Sequence, residues 1–381
     1  MKIKKMLLFT IGDAKIASTW SNIPFLLSKS LEERGILIEH INIDPPYFLR
    51  KWFDRLVSRI IRFFYGRTEY NFFRSFVYDW YVKYRIYVAN KSFPNSSISF
   101  FLTFNAPCNP KHDVNVLLGD WTFQYYIEKR LERHADCIEK KTIARENRNI
   151  NKASLVVSLF SSCATYIENI NPSSNIKHFS SNVVNNLNSQ KIDDSALIEA
   201  KKRRRSILFV GRIHYLEGVL LLIEAFEIIR KKYPGIELNI IGLSREEVSV
   251  SKETVGINFY GFLRKEKEEE CRLYYKLISE ATILVNPTSK WAGYSSLIEA
   301  MYYYTPIITS PFEDFVKEFG LDIKFGTYCH HRDNLVEAVE QILKQDEKHY
   351  QEMCINAHKC VENHTWEHYT DLLLNEIEKL S

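Results

Sequence analysis

Residues 283–309, ILVNPTSKWAGYSSLIEAMYYYTPIIT, constrain this chain more than any other stretch. Ile283 to Val285 read as a short buried strand. A polar loop follows, a helix starts near Ser295 and Ser296, and a second strand returns at Ile307 and Ile308. Gly293 lets the loop backbone approach a ligand, and the helix start presents unpaired N–H groups that suit phosphate. Glu299 lies about one turn further on. Its carboxylate can there accept hydrogen bonds from two adjacent hydroxyls, such as those of a ribose. Together these residues outline a pocket for a sugar carried on a nucleotide.

A second block, residues 204–219, reads RRSILFVGRIHYLEGV. The apolar run Ile207 to Val210 is a buried strand and Gly211 makes the turn. Arg212 then projects from the strand's carboxyl end, where open α/β sheets bind ligands. Val219, Leu222, Ile223, Phe226 and Ile229 recur at helical spacing, and Tyr233-Pro-Gly closes that helix before a strand from Glu237 to Ile241. At the amino end, a strand from Lys5 to Ile11 precedes the turn Gly12-Asp13 and a helix that Ser21 or Asn22 can cap, with Pro24 in its first turn and Gly35 at its end. Strand-like and helix-like periods alternate along the whole chain, which argues for parallel sheets with helices on both faces.

These blocks resemble the retaining glycosyltransferases of the GT-B fold, glycosyltransferase family 4. Glu299-Ala300-Met301 and Thr305-Pro306-Ile307-Ile308 are similar to the family's donor segment. The stretch from Arg204 through Gly211, Arg212 and Gly218 is similar to its diphosphate-clamping strand and loop. Thr19-Trp-Ser-Asn-Ile-Pro near the start, Leu118-Gly-Asp-Trp, Leu155-Val-Val-Ser, Tyr260-Gly-Phe-Leu-Arg-Lys and the closing Thr365-Trp-Glu extend the likeness over most of the chain.

The resemblance implies two Rossmann-like domains with parallel sheets facing across a cleft, and a carboxyl-terminal helix that crosses back to the first domain. The expected boundaries are 1–187 for an acceptor-binding domain with a helical insertion near 47–92, and 188–204 for a linker. Residues 205–362 would form the nucleotide-sugar domain and 363–381 the returning helix. The implied activity is transfer of a sugar from a nucleotide-sugar donor to a glycan or lipid-linked glycan hydroxyl with retention, in surface polysaccharide or glycolipid synthesis. No cofactor or metal is implied, and the nucleotide-sugar is a substrate.

Arg212, Glu299 and Lys290 are the expected catalytic groups. The donor would touch Gly211, Arg212, Glu217, Lys265, Trp291, Gly293, Tyr294, Ser295, Ser296, Leu297 and Glu299. Gly12, Asp13, Trp20, Ser21 and Asp120 would line the acceptor side. Two positions depart from the family pattern: Trp291 stands where its first Glu is expected, and Glu217 where its Lys is. A charge-assisted hydrogen bond to phosphate is worth roughly 1.5–3 kcal/mol, so an anion at 217 weakens a diphosphate site if it faces the ligand. Lys290, Lys265 or Arg264 would then supply the charge, or the donor carries less phosphate. A catalytically silent binding or scaffold subunit is the alternative reading.

Residues 47–92 depart from a plain Rossmann pattern. Leu49, Trp52, Phe53, Leu56, Val57, Ile60, Ile61 and Phe64 recur at helical spacing beside Lys51, Arg55, Arg59 and Arg62, and a second stretch adds Phe72, Phe73, Phe76, Trp80, Tyr84 and Tyr87 with Arg74, Lys83 and Arg85. This profile fits either a hairpin packed on the first domain or a face laid on an anionic membrane surface. A net charge of +4 over 381 residues implies no nucleic-acid partner. The seven cysteines are scattered and lack metal-ligand spacing, as suits reduced thiols in the cytoplasm. No apolar run reaches the roughly 18 residues of a membrane span, so the expected location is cytoplasmic, with peripheral attachment to the inner face of the cell membrane.

Overall fold

The computed structural model describes residues 3–66, 68–179, 194–249, 255–288 and 294–380. The chain divides into two units, Met1–Ser181 with Trp366–Ser381, and Asn182–Thr365.

Unit 1 runs β1 (Lys5–Thr10), α1 (Ile23–Glu33), β2 (Leu37–Asn42), α2 (Tyr47–Tyr65), α3 (Phe76–Ser92), β3 (Ile98–Phe101), β4 (Val114–Gly119), α4 (Phe123–Tyr125), α5 (Cys137–Lys152), β5 (Leu155–Ser158), α6 (Ser161–Ile170) and β6 (Ile176–Lys177). Its strands pair in the order β2-β1-β3-β4-β5-β6, every neighbour parallel. β3, β4 and β5 are buried along their whole length, as unalternating apolar strands must be when helices cover both faces. Phe9 and Phe101 stack across the β1–β3 pair with centroids 4.4 Å apart.

Unit 2 runs α7 (Asp194–Arg204), β7 (Ser206–Val210), α8 (Leu216–Lys232), β8 (Glu237–Ile241), α9 (Arg245–Val248), β9 (Ile257–Gly261), α10 (Glu268–Glu280), β10 (Ile283–Asn286), α11 (Ser295–Tyr302), β11 (Ile307–Thr309), α12 (Glu313–Phe319), β12 (Gly326–Tyr328), α13 (Arg332–Lys344) and α14 (Glu347–Val361). The parallel order is β12-β11-β10-β7-β8-β9. Val219, Leu222, Ile223, Phe226 and Ile229 form the buried face of α8, each contributing about 1.5–3 kcal/mol by leaving water.

The last helix, α15 (Trp366–Glu378), belongs to unit 1. It packs on α1, where Ser30 Oγ donates to the Trp366 carbonyl at 3.1 Å and Arg34 reaches both Asp371 (2.5 Å) and the Glu367 carbonyl (2.6 Å).

Two local expectations are revised. Asn22 stands just before α1 but makes no side-chain cap, because its backbone is left-handed at φ 71° and turns the amide away from the helix start. Within the expected linker, residues 188–193 lie outside the described residues, whereas Asp194–Arg204 forms α7. That helix is held by a buried lysine: Lys201 Nζ donates to Thr305 Oγ1 at 2.7 Å and to the carbonyls of Ala281 and Ile278 at 3.3 and 3.4 Å.

Burial without a carboxylate partner lowers Lys201 from 10.5 to about 7. Lys201 therefore favours the folded state most above its unfolded value and loses that contribution as pH falls through about 7. We expect thermal stability to rise from pH 7 toward pH 10 more steeply in the parent than in Lys201→Met, compared by melting curves across that range. Parallel pH profiles would contradict the assignment.

Candidate functional site

In unit 2 the chain adds strands outward from β7 to β8 and β9, then crosses back to β10 and continues to β11 and β12. The reversal leaves a crevice beyond the carboxyl ends of β7 and β10, where such sheets bind ligands. Gly211 and Arg212 follow β7 directly, and Thr288 follows β10. Gly218, in the first turn of α8, lies against that second loop so closely that a Cβ there would stand 3.0 Å from the Thr288 backbone nitrogen and overlap its Oγ1. Gly242, at φ 97°, lets the loop after β8 approach to where a Cβ would be 2.9 Å from the Gly211 carbonyl carbon. Only glycine fits either position, and the three loops are thereby drawn together.

α11 enters this crevice. Ser296 Oγ comes within 3.5 Å of the Val210 carbonyl at the end of β7. The Tyr294 side chain does not cap the helix, and the first internal bonds come from the amides of Leu297 and Ile298 to the Tyr294 carbonyl. Tyr294 is fully buried against Phe312 and Phe315, so it anchors the helix start and does not line a ligand cavity. Leu297 is likewise core.

Glu299 is 3% exposed and already paired: Lys265 Nζ lies 2.6 Å from Oε1 and the Tyr274 hydroxyl donates to Oε2 at 2.7 Å. Burial next to Glu299 raises Tyr274 well above its ordinary value, which keeps the phenol protonated and donating. The unengaged ribose acceptor read from the sequence is thus a neutralised carboxylate; a buried anion requires such partners, and its second lone pairs remain for a ligand. Lys265 is committed to this pair and Arg264 to Glu270 at 2.9 Å. Arg212 is exposed, stacks its guanidinium 4.7 Å from the Phe262 ring, and has no carboxylate partner among the described residues. The loop after β9 therefore touches both expected anchors, Phe262 on Arg212 and Lys265 on Glu299. Glu217 is exposed at the start of α8. Lys290, Trp291 and Gly293 lie outside the described residues.

Unit 1 has its own reversal, between β1 and β3, and a cavity of about 530 Å³ opens there. Thr10, Leu102 to Asn105, and Gly119 to Trp121 line it from the strand ends, and Trp20, Phe73, Phe123 and Tyr126 supply aromatic walls. Trp20 and Asp120 meet as expected, the indole N–H donating to Asp120 Oδ2 at 3.3 Å. Gly12, Asp13 and Ser21 are not part of the wall. Asp13 instead closes its own loop, accepting from the Lys15 amide at 2.9 Å and, through its carbonyl, from Thr19 Oγ1 at 2.6 Å. Trp20, Ser21 and Asn22 are consecutive left-handed residues at φ 40°, 54° and 71°. This costly backbone turns the Trp20 indole toward Asp120.

Two carboxyls in the cavity are poised near neutrality. Burial pushes Asp120 up to about 6 against the Trp20 hydrogen bond, and pushes Glu146 up to about 7 against the Phe123 amide (2.7 Å) and Arg74. Arg74 lies flat on Phe123 with its guanidinium carbon 3.7 Å from the ring centroid. Glu146 and Tyr274 were missed by sequence reasoning, and Arg74, read from the sequence as a cation of the basic helical stretch, lines this cavity instead. A signal for Glu146 existed: Glu139, Thr142, Ile143, Glu146, Asn149 and Ile150 share the buried face of α5, an unusually polar inward stripe.

Residues 190–360 match the family model described as Glycosyl transferases group 1. No curated protein matches the chain in sequence. Among solved structures, sucrose-phosphate synthase of Thermosynechococcus elongatus is similar at a TM-score of 0.68 and 15% identity, over 99% of this chain and 98% of that one. Anabaena HepE, solved with UDP-glucose, gives 0.58 and 11% over 97% and 99%. TarM, of which a mutant from S. aureus is solved with UDP, gives 0.56 and 17%; 76% of this chain is covered but it spans only 57% of TarM. The fold is GT-B, two Rossmann-like units each built on a parallel sheet.

The geometry sets opposite signs for two substitutions. Ser21→Gly should raise stability by about 1 kcal/mol because glycine accepts a left-handed backbone without strain. Gly218→Ala should cost about 1–3 kcal/mol by forcing α8 away from Thr288. Chemical denaturation reads both, and a destabilised Ser21→Gly would contradict the strained turn.

Proposed function

We propose that the chain is a glycosyltransferase that moves a sugar from a nucleotide-sugar held by unit 2 to a glycan or lipid-linked glycan hydroxyl held by unit 1, with retention at the anomeric carbon. The observation that carries this reading is Arg212, which has no carboxylate partner among the described residues, at the β7/β10 switch point that the start of α11 enters. In transfer, the acceptor oxygen bonds to the anomeric carbon as the bond from that carbon to the phosphate oxygen breaks. The hydroxyl proton passes to the departing phosphate. Arg212 and the amides of Ser295 and Ser296 stabilise the charge that gathers there. Glu299, held in place by Lys265 and Tyr274, orients the ribose. Lys290, if it joins them, supplies the cation that position 217 lacks.

On the acceptor side, Asp120 and Glu146 accept hydrogen bonds from sugar hydroxyls while Trp20 and Phe73 cover the apolar faces of the ring. The expected setting is surface polysaccharide or glycolipid synthesis at the inner face of the cell membrane. UDP-sugars head the list of donors because HepE and TarM were solved with UDP or UDP-glucose. The departures at Glu217 and Trp291 favour one other reading, a silent subunit that binds a glycan without transferring it.

Donor hydrolysis and melting temperature over a panel of nucleotide-sugars separate the two. An active transferase releases sugar slowly and is stabilised by its donor. A chain that no nucleotide-sugar stabilises, and that releases nothing, is not a transferase. Arg212→Gln should weaken donor affinity about 10- to 100-fold, the equivalent of one charge-assisted hydrogen bond. NMR of the product's anomeric configuration decides retention.

For the acceptor side, activity should climb as pH rises through about 6 and 7, where Asp120 and then Glu146 ionise, and Asp120→Asn should remove the lower component while leaving donor-induced stabilisation intact. An unchanged pH profile would displace Asp120 from the acceptor site.

A further inference from the structure

A second cavity in unit 1, about 440 Å³, is enclosed by α3, α5 and the segment between β3 and β4. Lys111 and Lys152 line it just ahead of β4 and β5, which places it toward the amino ends of the strands, away from the cavity at their carboxyl ends. Five cations surround it, Lys83, Lys111, Arg145, Arg148 and Lys152, against one carboxylate, Asp79. Asp79 is shared by Lys83 at 2.7 Å and Arg145 at 4.0 Å. Lys111, Arg148 and Lys152 have no acidic partner among the described residues.

Asn149, 7% exposed, and Arg145 complete the walls from α5. A cavity lined by five cations and one carboxylate is one that an anion completes.

The surface beside this cavity is apolar. Phe76, Trp80, Tyr84 and Tyr87 lie along one stripe of α3, each more than half exposed, and Tyr87 also lines the cavity. α2 carries a similar stripe, with Phe48, Trp52, Leu56, Ile60 and Phe63 exposed and only Phe53 buried among its described residues. Arg50, Lys51, Arg55 and Arg59 accompany it against a single acid, Asp54. Large exposed aromatics interleaved with cations fit an interface that is apolar below and negatively charged at the surface.

We propose that the α3–α5 cavity takes the phosphate of an anionic lipid headgroup and that the exposed stripes of α2 and α3 enter the bilayer interface around it. The phosphate oxygens accept from Arg148, Lys111 and Lys152, the three lining cations with no acidic partner among the described residues. The site is separate from the transfer chemistry and stands whether or not the chain moves a sugar.

Flotation of the full chain with phosphatidylcholine vesicles, with and without phosphatidic acid, tests it. The parent should float with the acidic vesicles and remain behind with phosphatidylcholine alone. The double variant Arg148→Gln/Lys152→Gln, both exposed positions, should lose about 30-fold in partition at the surface strength expected per cation. Trp80→Ser/Tyr84→Ser should weaken binding to the same vesicles while leaving the melting temperature of the chain unchanged. Equal flotation of parent and Arg148→Gln/Lys152→Gln would overturn the cavity's role. Melting-temperature stabilisation by inorganic phosphate that this variant loses, in a parent that ignores acidic vesicles, would overturn the lipid and assign a soluble phosphate compound.

Discussion

A parallel sheet that grows from one strand in both directions must open a crevice where the direction reverses, and both units of this chain are organised around that constraint. Unit 2 reverses between β7 and β10 and unit 1 between β1 and β3. Each reversal sends two consecutive connections away from one another, so the carboxyl ends of adjacent strands are left uncovered. Arg212, Gly218 and the start of α11 gather at one, and Trp20, Asp120 and Glu146 at the other. What each site can bind is set by loops, while where it lies is set by strand order.

The buried ionisable groups show four ways of tolerating a charge away from water. Glu299 is neutralised by Lys265 and a tyrosine. Glu139 is held as an anion by Arg133 and backbone amides, which bring it down to about 2. Among the described residues Lys201 relies on carbonyls and a hydroxyl, and it shifts toward its neutral form. Asp120 and Glu146 are left partly uncompensated in a cavity. The last arrangement places two such carboxyls on the wall of one cavity, which is why the unit 1 cavity reads as a place for hydroxyl-rich ligands.

Strands such as β7, β10 and β11 were legible because they are short apolar runs bounded by Gly, Pro or polar residues. Ile207 to Val210 and Ile307 to Ile308 fall within one residue of β7 and β11. The start of α11 was legible from Ser295 and Ser296, and the returning helix from Trp366, Tyr369 and Leu373. Side-chain partnership was not. Nothing local to Glu299 shows that Lys265, 34 positions away, neutralises it. The left-handed turn at Trp20 to Asn22 was hidden because it contains no glycine. α7 was hidden because Lys201 sits in a basic, polar stretch whose local composition resembles a linker; its burial is decided by Thr305 and two carbonyls far along the chain.

The helix α15 has one more implication. Trp366, Tyr369, Leu373 and Ile377 are core residues of unit 1, yet the ribosome delivers them only after all of unit 2. While the nascent chain is being made, the groove on α1 that will receive them stands uncovered, and the first half waits incomplete as the second half folds. Emergence of Trp366–Glu378 is thus the event that completes the core of unit 1, a clasp supplied from beyond the whole of unit 2.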